Sequence, residues 1–412
     1  MLAHPAALTR GAALLREAFG GFATVAGLFT LAFAPVTAVL GRRLLGALRR
    51  RPALKPLPPV TVLKPLKGAE AGLYENLASF CRQDYPCFQL LFCLQSPEDP
   101  ALAVVSRLKR DFPGVDMEVV VSRNRIGYNP KVNNMANAYP FAKYDLLLMS
   151  DCDVLALPDL LSRMAAPFAD PAVGLVTSFY EATGSHGLWG HLEALSINAS
   201  FLPRAMAAAS CGMRFAMGAA MMVRRAAFEA SGAFANLADH IADDFWLGES
   251  IREAGWRIEI SAGAVESVPD IRGAAEHFRH LVRWARTIRV CQPAGYAASV
   301  VEHGFTLLTL KAVLLGPDPL TLALLGAIWA AKASASLDLG AALAGSGAGL
   351  GGRQPARALL LLPLAEWLAF AAWTAGWGST RVHWRGEDYE VQPQGRLTPV
   401  PAALRAPVPV EP

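Results

Sequence analysis

The sequence predicts an α/β domain carried between membrane-spanning helices. Three observations lead there. Residues 59–270 alternate short β-branched runs with amphipathic helical ones, the pattern of a mainly parallel sheet covered on both faces. Residues 18–41 carry no charge over a length that crosses a bilayer. Only 17% of the 412 residues are charged and 53% are hydrophobic, whereas roughly a quarter are charged in an ordinary soluble domain.

Each element follows in order. Behind a flank of 1–17 holding Arg10 and Arg16, the uncharged run is longer than a signal-peptide core. No small-residue cleavage site precedes Arg42-Arg43, so 18–41 reads as a retained anchor. Residues 42–58 form a basic, proline-rich linker with Arg42, Arg43, Arg49, Arg50, Arg51 and Lys55. By the positive-inside rule that cluster places the following domain in the cytoplasm, at the inner membrane of a bacterial-looking, alanine- and arginine-rich chain. The net charge of +4 is thus mostly membrane flank and gives no reason to expect nucleic acid.

Within 59–270, PVTVLKPL, CFQLLFCLQS, DMEVVVS and YDLLLMSD read as strands. GLYENLASFCRQ and ALAVVSRLKRDF read as the helices between the first three. Residues 271–302 hold a basic helix and 303–378 a hydrophobic region. In that region 320–336 and 358–377 are clear spans, 303–316 is shorter and interrupted by Lys311, and 335–356 is an Ala/Gly-rich connector. Residues 379–412 read as a cytoplasmic tail. The six cysteines form no CxxC pair and read as reduced, mostly structural thiols.

In a parallel sheet, ligands bind at the carboxyl ends of the strands. Those ends carry Glu98 and Asp99, the stretch Arg123 to Lys131, and Asp151 with Asp153. On an extended chain residues two apart face one side, so both aspartates of LLLMSDCDV can address one hard cation, Mg²⁺ or Mn²⁺. An isolated DxD is more often a turn or a helix cap. It also opens the haloacid-dehalogenase-type phosphatases, where the first Asp is a nucleophile; three strand–helix units precede this one, against that reading. GYNPKVNNMANAY opens a helix with Lys131, Asn133 and Asn134, suited to a phosphate or nucleotide, though by itself it is an ordinary Asn/Pro turn. Asp243 and Asp244 begin another helix; one suffices as a cap, and the other is available as a general base. HFRHLVRWARTIR (277–289) reads as a basic interfacial helix whose His280, Arg283 and Trp284 can also reach toward a negatively charged donor.

Taken as an ordered set, KPLKG (64–68), DYP (84–86), EDPA (98–101), GYNPKVNN (127–134), AKYDLLLMSDCDV (142–154), ADDF (242–245), GWR (255–257) and HLVRW (280–284) resemble the ceramide glucosyltransferase family of membrane-bound GT-A glycosyltransferases. The resemblance covers about residues 55–290. It implies a GT-A domain and an inverting transfer of one sugar, glucose or N-acetylglucosamine, from a UDP-sugar to a membrane lipid hydroxyl. Asp99 then helps hold the donor nucleotide, Asp151 and Asp153 hold its diphosphate through Mg²⁺ or Mn²⁺, and Asp244 is the base. His280, Arg283 and Trp284 match the family's (Q/R)xxRW element, with His280 in the Gln/Arg place. Animal members carry a histidine in an SHPR-like stretch where this chain reads SFLPR (200–204) with Leu202. Ceramide therefore shares the acceptor reading with the polyol of the similar bacterial hopanoid glycosyltransferases, which is slightly favoured. A processive polysaccharide synthase shares the aspartates but needs more spans than two after the domain. A non-catalytic membrane scaffold has no need of the carboxylates.

Overall fold

The computed structural model describes residues 5–400 except 53, 71, 184–186, 269, 344–355 and 385–386. The chain enters on one 45-residue helix, α1 (Pro5–Arg49), so the anchor continues without a break through Arg42 and Arg43 to Arg49, and the remaining basic residues follow its end. The α/β unit then begins with β1 (Val60–Pro65), α2 (Leu73–Cys81), β2 (Phe88–Leu94), α3 (Ala101–Asp111) and β3 (Asp116–Val121). Next come α4 (Pro130–Ala138), β4 (Leu146–Ser150), the two-residue β5 (Val154–Leu155), α5 (Leu160–Ala165) and β6 (Val173–Ala182). β1 and β4 are buried at every position, which is why β4 reads as a near-continuous apolar run and β1 as one broken only by Thr61 and Lys64.

The second half holds α6 (Gly187–Leu195), a π-helical turn at Ser196–Phe201, α7 (Leu202–Ser210), β7 (Ala220–Arg224), α8 (Arg225–Ala230), α9 (Asp243–Glu253) and β8 (Arg257–Ser267). The eight strands form one sheet in the order β3-β2-β1-β4-β7-β6-β8-β5. The expectation of a mainly parallel sheet needs correcting here. β3, β2, β1 and β4 are parallel, as the strand–helix alternation predicts, but β7 runs antiparallel to both β4 and β6. An antiparallel neighbour needs no crossover along a face, so the excursion through α6 and α7 stays at one end of the sheet. That end is where the carboxyl end of β4 meets the amino end of β7.

α7 is also where the sheet meets the anchor: Leu202, Ala205 and Met206 share an apolar cluster with Ala34, Ala38 and Leu45 of α1. The chain continues through α10 (Ala274–Cys291), α11 (Pro293–Ala298), α12 (Gly304–Leu315), α13 (Pro319–Leu343) and α14 (Leu362–Trp377). Among the described residues, four helical stretches, Gly11–Arg49, Pro293–Leu315, Pro319–Leu343 and Ala358–Trp377, are long and apolar enough to cross a membrane. The 303–316 segment thus belongs to a 23-residue stretch, making three such stretches after the domain rather than two. The connector expected at 335–356 is helical up to Leu343; its remainder, 344–355, lies outside the described residues. The segment expected as a tail instead folds into β9 (Arg381–Trp384), β10 (Glu387–Val391) and β11 (Leu397–Pro399), a small antiparallel sheet. Residues 401–412 lie outside the described residues.

Candidate active site

The site forms where four chain segments converge. β4 delivers Asp151 one residue beyond its end, and the Asp151 amide donates to the Ala219 carbonyl just before β7. α4 starts beside them with Asn129 as its cap: Asn129 Oδ1 accepts from the amides of Lys131 and Val132 at 2.9 and 3.1 Å, the usual way the first orphan donors of a helix are satisfied. Its Nδ2 donates to the His240 carbonyl at 2.8 Å. That bond fixes the start of α4 against the loop entering α9. Gly127 permits the approach, because a Cβ there would fall 2.5 Å from the Ala238 carbonyl oxygen.

Lys131 Nζ lies 2.8 Å from Asp151 Oδ1 and 3.1 Å from Asp243 Oδ2. Burial by itself lowers a lysine pKa, but the charges of Asp151 and Asp243 outweigh it and hold this ammonium well above the usual range. Asp243 is raised in turn, by burial against the pull of Lys131. Asp244 is gripped by backbone: Oδ2 accepts from the Gly218 amide at 2.9 Å and Oδ1 from the Phe245 amide at 2.8 Å. Burial, then the neighbouring Asp243 charge, push its carboxyl up to about 6.

The DxD pair departs from the expectation of an extended segment. Residues 151–153 form a turn between β4 and β5, closed by the Val154 amide on the Asp151 carbonyl. Cys152 is buried in the core as expected. Asp153 Oδ2 accepts from Ser267 Oγ on β8 at 3.0 Å, and burial followed by the Asp151 charge raises its carboxyl to about 6. Beneath the turn lies Lys64, fully buried in β1. Its Nζ donates to the Asp151 carbonyl at 2.6 Å and Ser150 Oγ at 3.3 Å, and sits 3.7 Å from the Phe80 ring centroid. Burial pulls its pKa down to about 7. The available signal for Lys64 is a lysine inside an otherwise apolar strand. Asp151 and Asp153 supply hard carboxylate oxygens and, among the described residues, no cage of three or more His, Cys, Asp or Glu is present. This donor set fits Mg²⁺ or Mn²⁺, ions that take one or two carboxylates and leave the rest to phosphate and water.

Other expected site residues turn inward. Asn133 Oδ1 accepts from the Ile126 and Gly127 amides and its Nδ2 donates to the Gly127 carbonyl. Asn134 Nδ2 donates to the Leu66 and Cys93 carbonyls. Both are buried and their amides stitch together the loops around the site, while Asn133 also borders the open cleft lined by Tyr128 and Pro130. Asp99 likewise has its oxygens on backbone amides, Gly68 at 3.0 and 3.1 Å and Ala101 at 2.9 Å, tying the KPLKG loop to the start of α3.

α10 carries the HLVRW element. His280 Nδ1 lies 2.7 Å from Glu193 Oε1 and His277 Nδ1 lies 2.9 Å from Glu193 Oε2. Burial opposes ionisation of Glu193, yet the two imidazoles hold its carboxyl down at about 2. Trp284 packs edge-on to His280 and Phe201, and Phe201 stacks on Tyr180 of β6. Arg283 is half-buried on the same helix. Tyr180, not anticipated from sequence, joins the two clusters: burial raises its pKa, and so do the charges of Asp244, Glu193, Asp153 and Asp151 around it.

Comparison with known proteins gives a consistent family. The model of glycosyl transferase family 21 matches residues 22–397. Ceramide glucosyltransferase 1 of Caenorhabditis elegans is 28% identical over 236 residues, which is 56% of this chain and 50% of that protein. The ceramide glucosyltransferase of Gibberella zeae is 35% identical over 167 residues, 36% of this chain and 31% of that one. The chain spans at most about half the length of these curated relatives. Among solved structures, the mannosyltransferase PcManGT from Pyrobaculum calidifontis, in complex with GDP-Man and Mn²⁺, is 20% identical with a TM-score of 0.48, covering 87% of this chain and 98% of that one.

Proposed function

The chain belongs to glycosyl transferase family 21, and from that premise we propose that it transfers one sugar from a UDP-sugar to a membrane lipid hydroxyl, inverting the anomeric carbon. The observation that carries this reading is Asp244, half-buried, held by two backbone amides and poised near pH 6 beside the Lys131–Asp151–Asp243 cluster. A carboxylate with that affinity for protons is ionised at neutral pH and still basic enough to accept one in the transition state.

In the proposed reaction the lipid hydroxyl donates its proton to Asp244 as its oxygen bonds to the anomeric carbon. The bond from that carbon to the diphosphate breaks, and its electron pair leaves with UDP. Lys131 faces the charge that develops there, already fixed in place by its two carboxylates. Asp151 and Asp153 would hold Mg²⁺ or Mn²⁺, which when bound supplies positive charge to the diphosphate. Lys64 supports the turn from below. The acceptor, ceramide or a hopanoid polyol, enters from the bilayer where α7 packs on α1. The basic cluster after the first span supports a cytoplasmic active site at the inner membrane.

The test is Asp244→Asn in the full chain, assayed in membranes with labelled UDP-glucose and UDP-N-acetylglucosamine. Lipid glycosylation is expected to fall by about 10²–10⁴-fold, the range for a lost general base. Undiminished transfer would falsify the assignment.

A further inference from the structure

The small C-terminal sheet is docked onto the segment that leads into Asp243 and Asp244. The Leu397 amide donates to the Asp239 carbonyl at 2.6 Å and the Ile241 amide to the Gly395 carbonyl at 3.0 Å. Val382, Tyr389, Val391 and Leu397 close an apolar cluster over Ile241 and Ala242. The same loop is clasped from the other side by Asn129, so the sheet, α9 and the start of α4 are one connected unit.

Between this sheet and the strand ends of the α/β domain lies a shallow, solvent-open cleft of about 50 Å³. Lys67, Gln95, Arg125 and Tyr128 line it from beyond β1, β2 and β3, and Trp384 and Glu387 from the C-terminal sheet. Pro130 is also part of its wall, so the cleft and the Lys131 cluster share the first turn of α4. Glu387 bridges the two sides: Oε2 accepts from Tyr389 Oη at 2.6 Å, and Oε1 lies 3.5 Å from the exposed Arg125 guanidinium. An exposed pair at that distance contributes little and yields readily to a ligand. Two aromatic rings, a carboxylate, an amide and two cations around an open slot suit a flat heterocycle with hydroxyls attached.

We propose that the C-terminal sheet is part of the donor site: Trp384 and Glu387 form the outer wall of a subsite for the nucleoside portion of a nucleoside diphosphate. Trp384 stacks on the base and Glu387 accepts from a ribose hydroxyl, while the diphosphate runs toward Lys131. This rests on the glycosyltransferase reading above and adds a second, separated piece of chain to the donor site.

The test uses the full-length protein in nanodiscs, with UDP, GDP and inorganic pyrophosphate as probes in titration calorimetry with Mn²⁺ present. Trp384→Ala is expected to weaken UDP about tenfold, in keeping with one lost stacking contact, and Trp384→Phe to recover most of it. Glu387→Gln should weaken UDP in the same direction, and it carries the test if Trp384→Ala does not fold. Pyrophosphate should bind all variants equally. Equal losses for UDP and pyrophosphate, or no loss while wild type binds UDP, overturn the wall but leave the transfer reading standing. Wild-type protein that binds neither UDP nor GDP overturns both.

Discussion

Asp244 and Asp153 each hold a proton to about pH 6 because burial, before any neighbouring charge, disfavours the carboxylate. The two consequences have opposite signs. A base must be ionised, so kcat/KM should fall as pH drops through about 6. Folding gains when the folded state binds protons more tightly, so these carboxyls add stability that is full below the unfolded value near 4 and lost as pH rises through about 6. Glu193, held down at about 2, has the opposite sign: its contribution is lost as pH falls from its ordinary value of 4.5 toward 2, which lies mostly below that window. Activity and melting temperature should therefore move in opposite directions between pH 4 and 6. Parallel profiles would count against these protonation states. At this scale the carboxylates themselves are legible in the sequence, because they come in pairs at a strand end and a helix start, where a turn or a cap needs only one. Their partners are less so: Lys131 stood out, but its bridging of Asp151 and Asp243 depends on residues 20 and 112 positions away. Asn133 and Asn134 stand out in the sequence in the same way, but their bonds to the backbone of neighbouring segments depend on chain that no local pattern shows.

α10 was legible as a basic amphipathic helix, yet what seats it was not. His277 and Glu193 are each only 1% exposed, and they come from helices 84 residues apart. Removing one partner of a buried hydrogen bond and leaving the other unsatisfied costs about 1–3 kcal/mol, more where a charged group is involved. Glu193→Ala should thus loosen α10 specifically, seen in hydrogen exchange as lost protection over 274–291 with β1 and β2 unchanged. Uniform loss across the sheet would mean that Glu193 supports the whole fold instead. The same limit explains β7: strand-like residues in 220–224 are readable, but their direction is set by the α6–α7 excursion and not by any local pattern.

For the whole molecule, apolar length finds the membrane helices but not how many cross. The two flanks of the last three stretches meet on the same body: Arg286 donates to the Arg381 carbonyl and Arg289 to that of Ser379. An even number of the three must therefore cross. α12 runs outward along α1, from Gly304 against Thr30 to the Leu314 carbonyl beside Arg16. α13 returns, with Asp338 on Arg42 and the Ala342 carbonyl on Arg49. On this arrangement α14 is the apolar helix expected not to cross. It packs against α6 near its start, through Leu362 and Leu192, and against α11 near its end, through the Trp373 carbonyl and Tyr296. The exposed native thiols Cys87 and Cys211 and a cysteine at Thr398→Cys should then react with a membrane-impermeant maleimide from one side only. Pro317→Cys, between α12 and α13, should react from the other. If Thr398→Cys labels from the side opposite Cys87, an odd number of the three stretches crosses, and the docking of the C-terminal sheet beside Asp243 and Asp244 cannot stand.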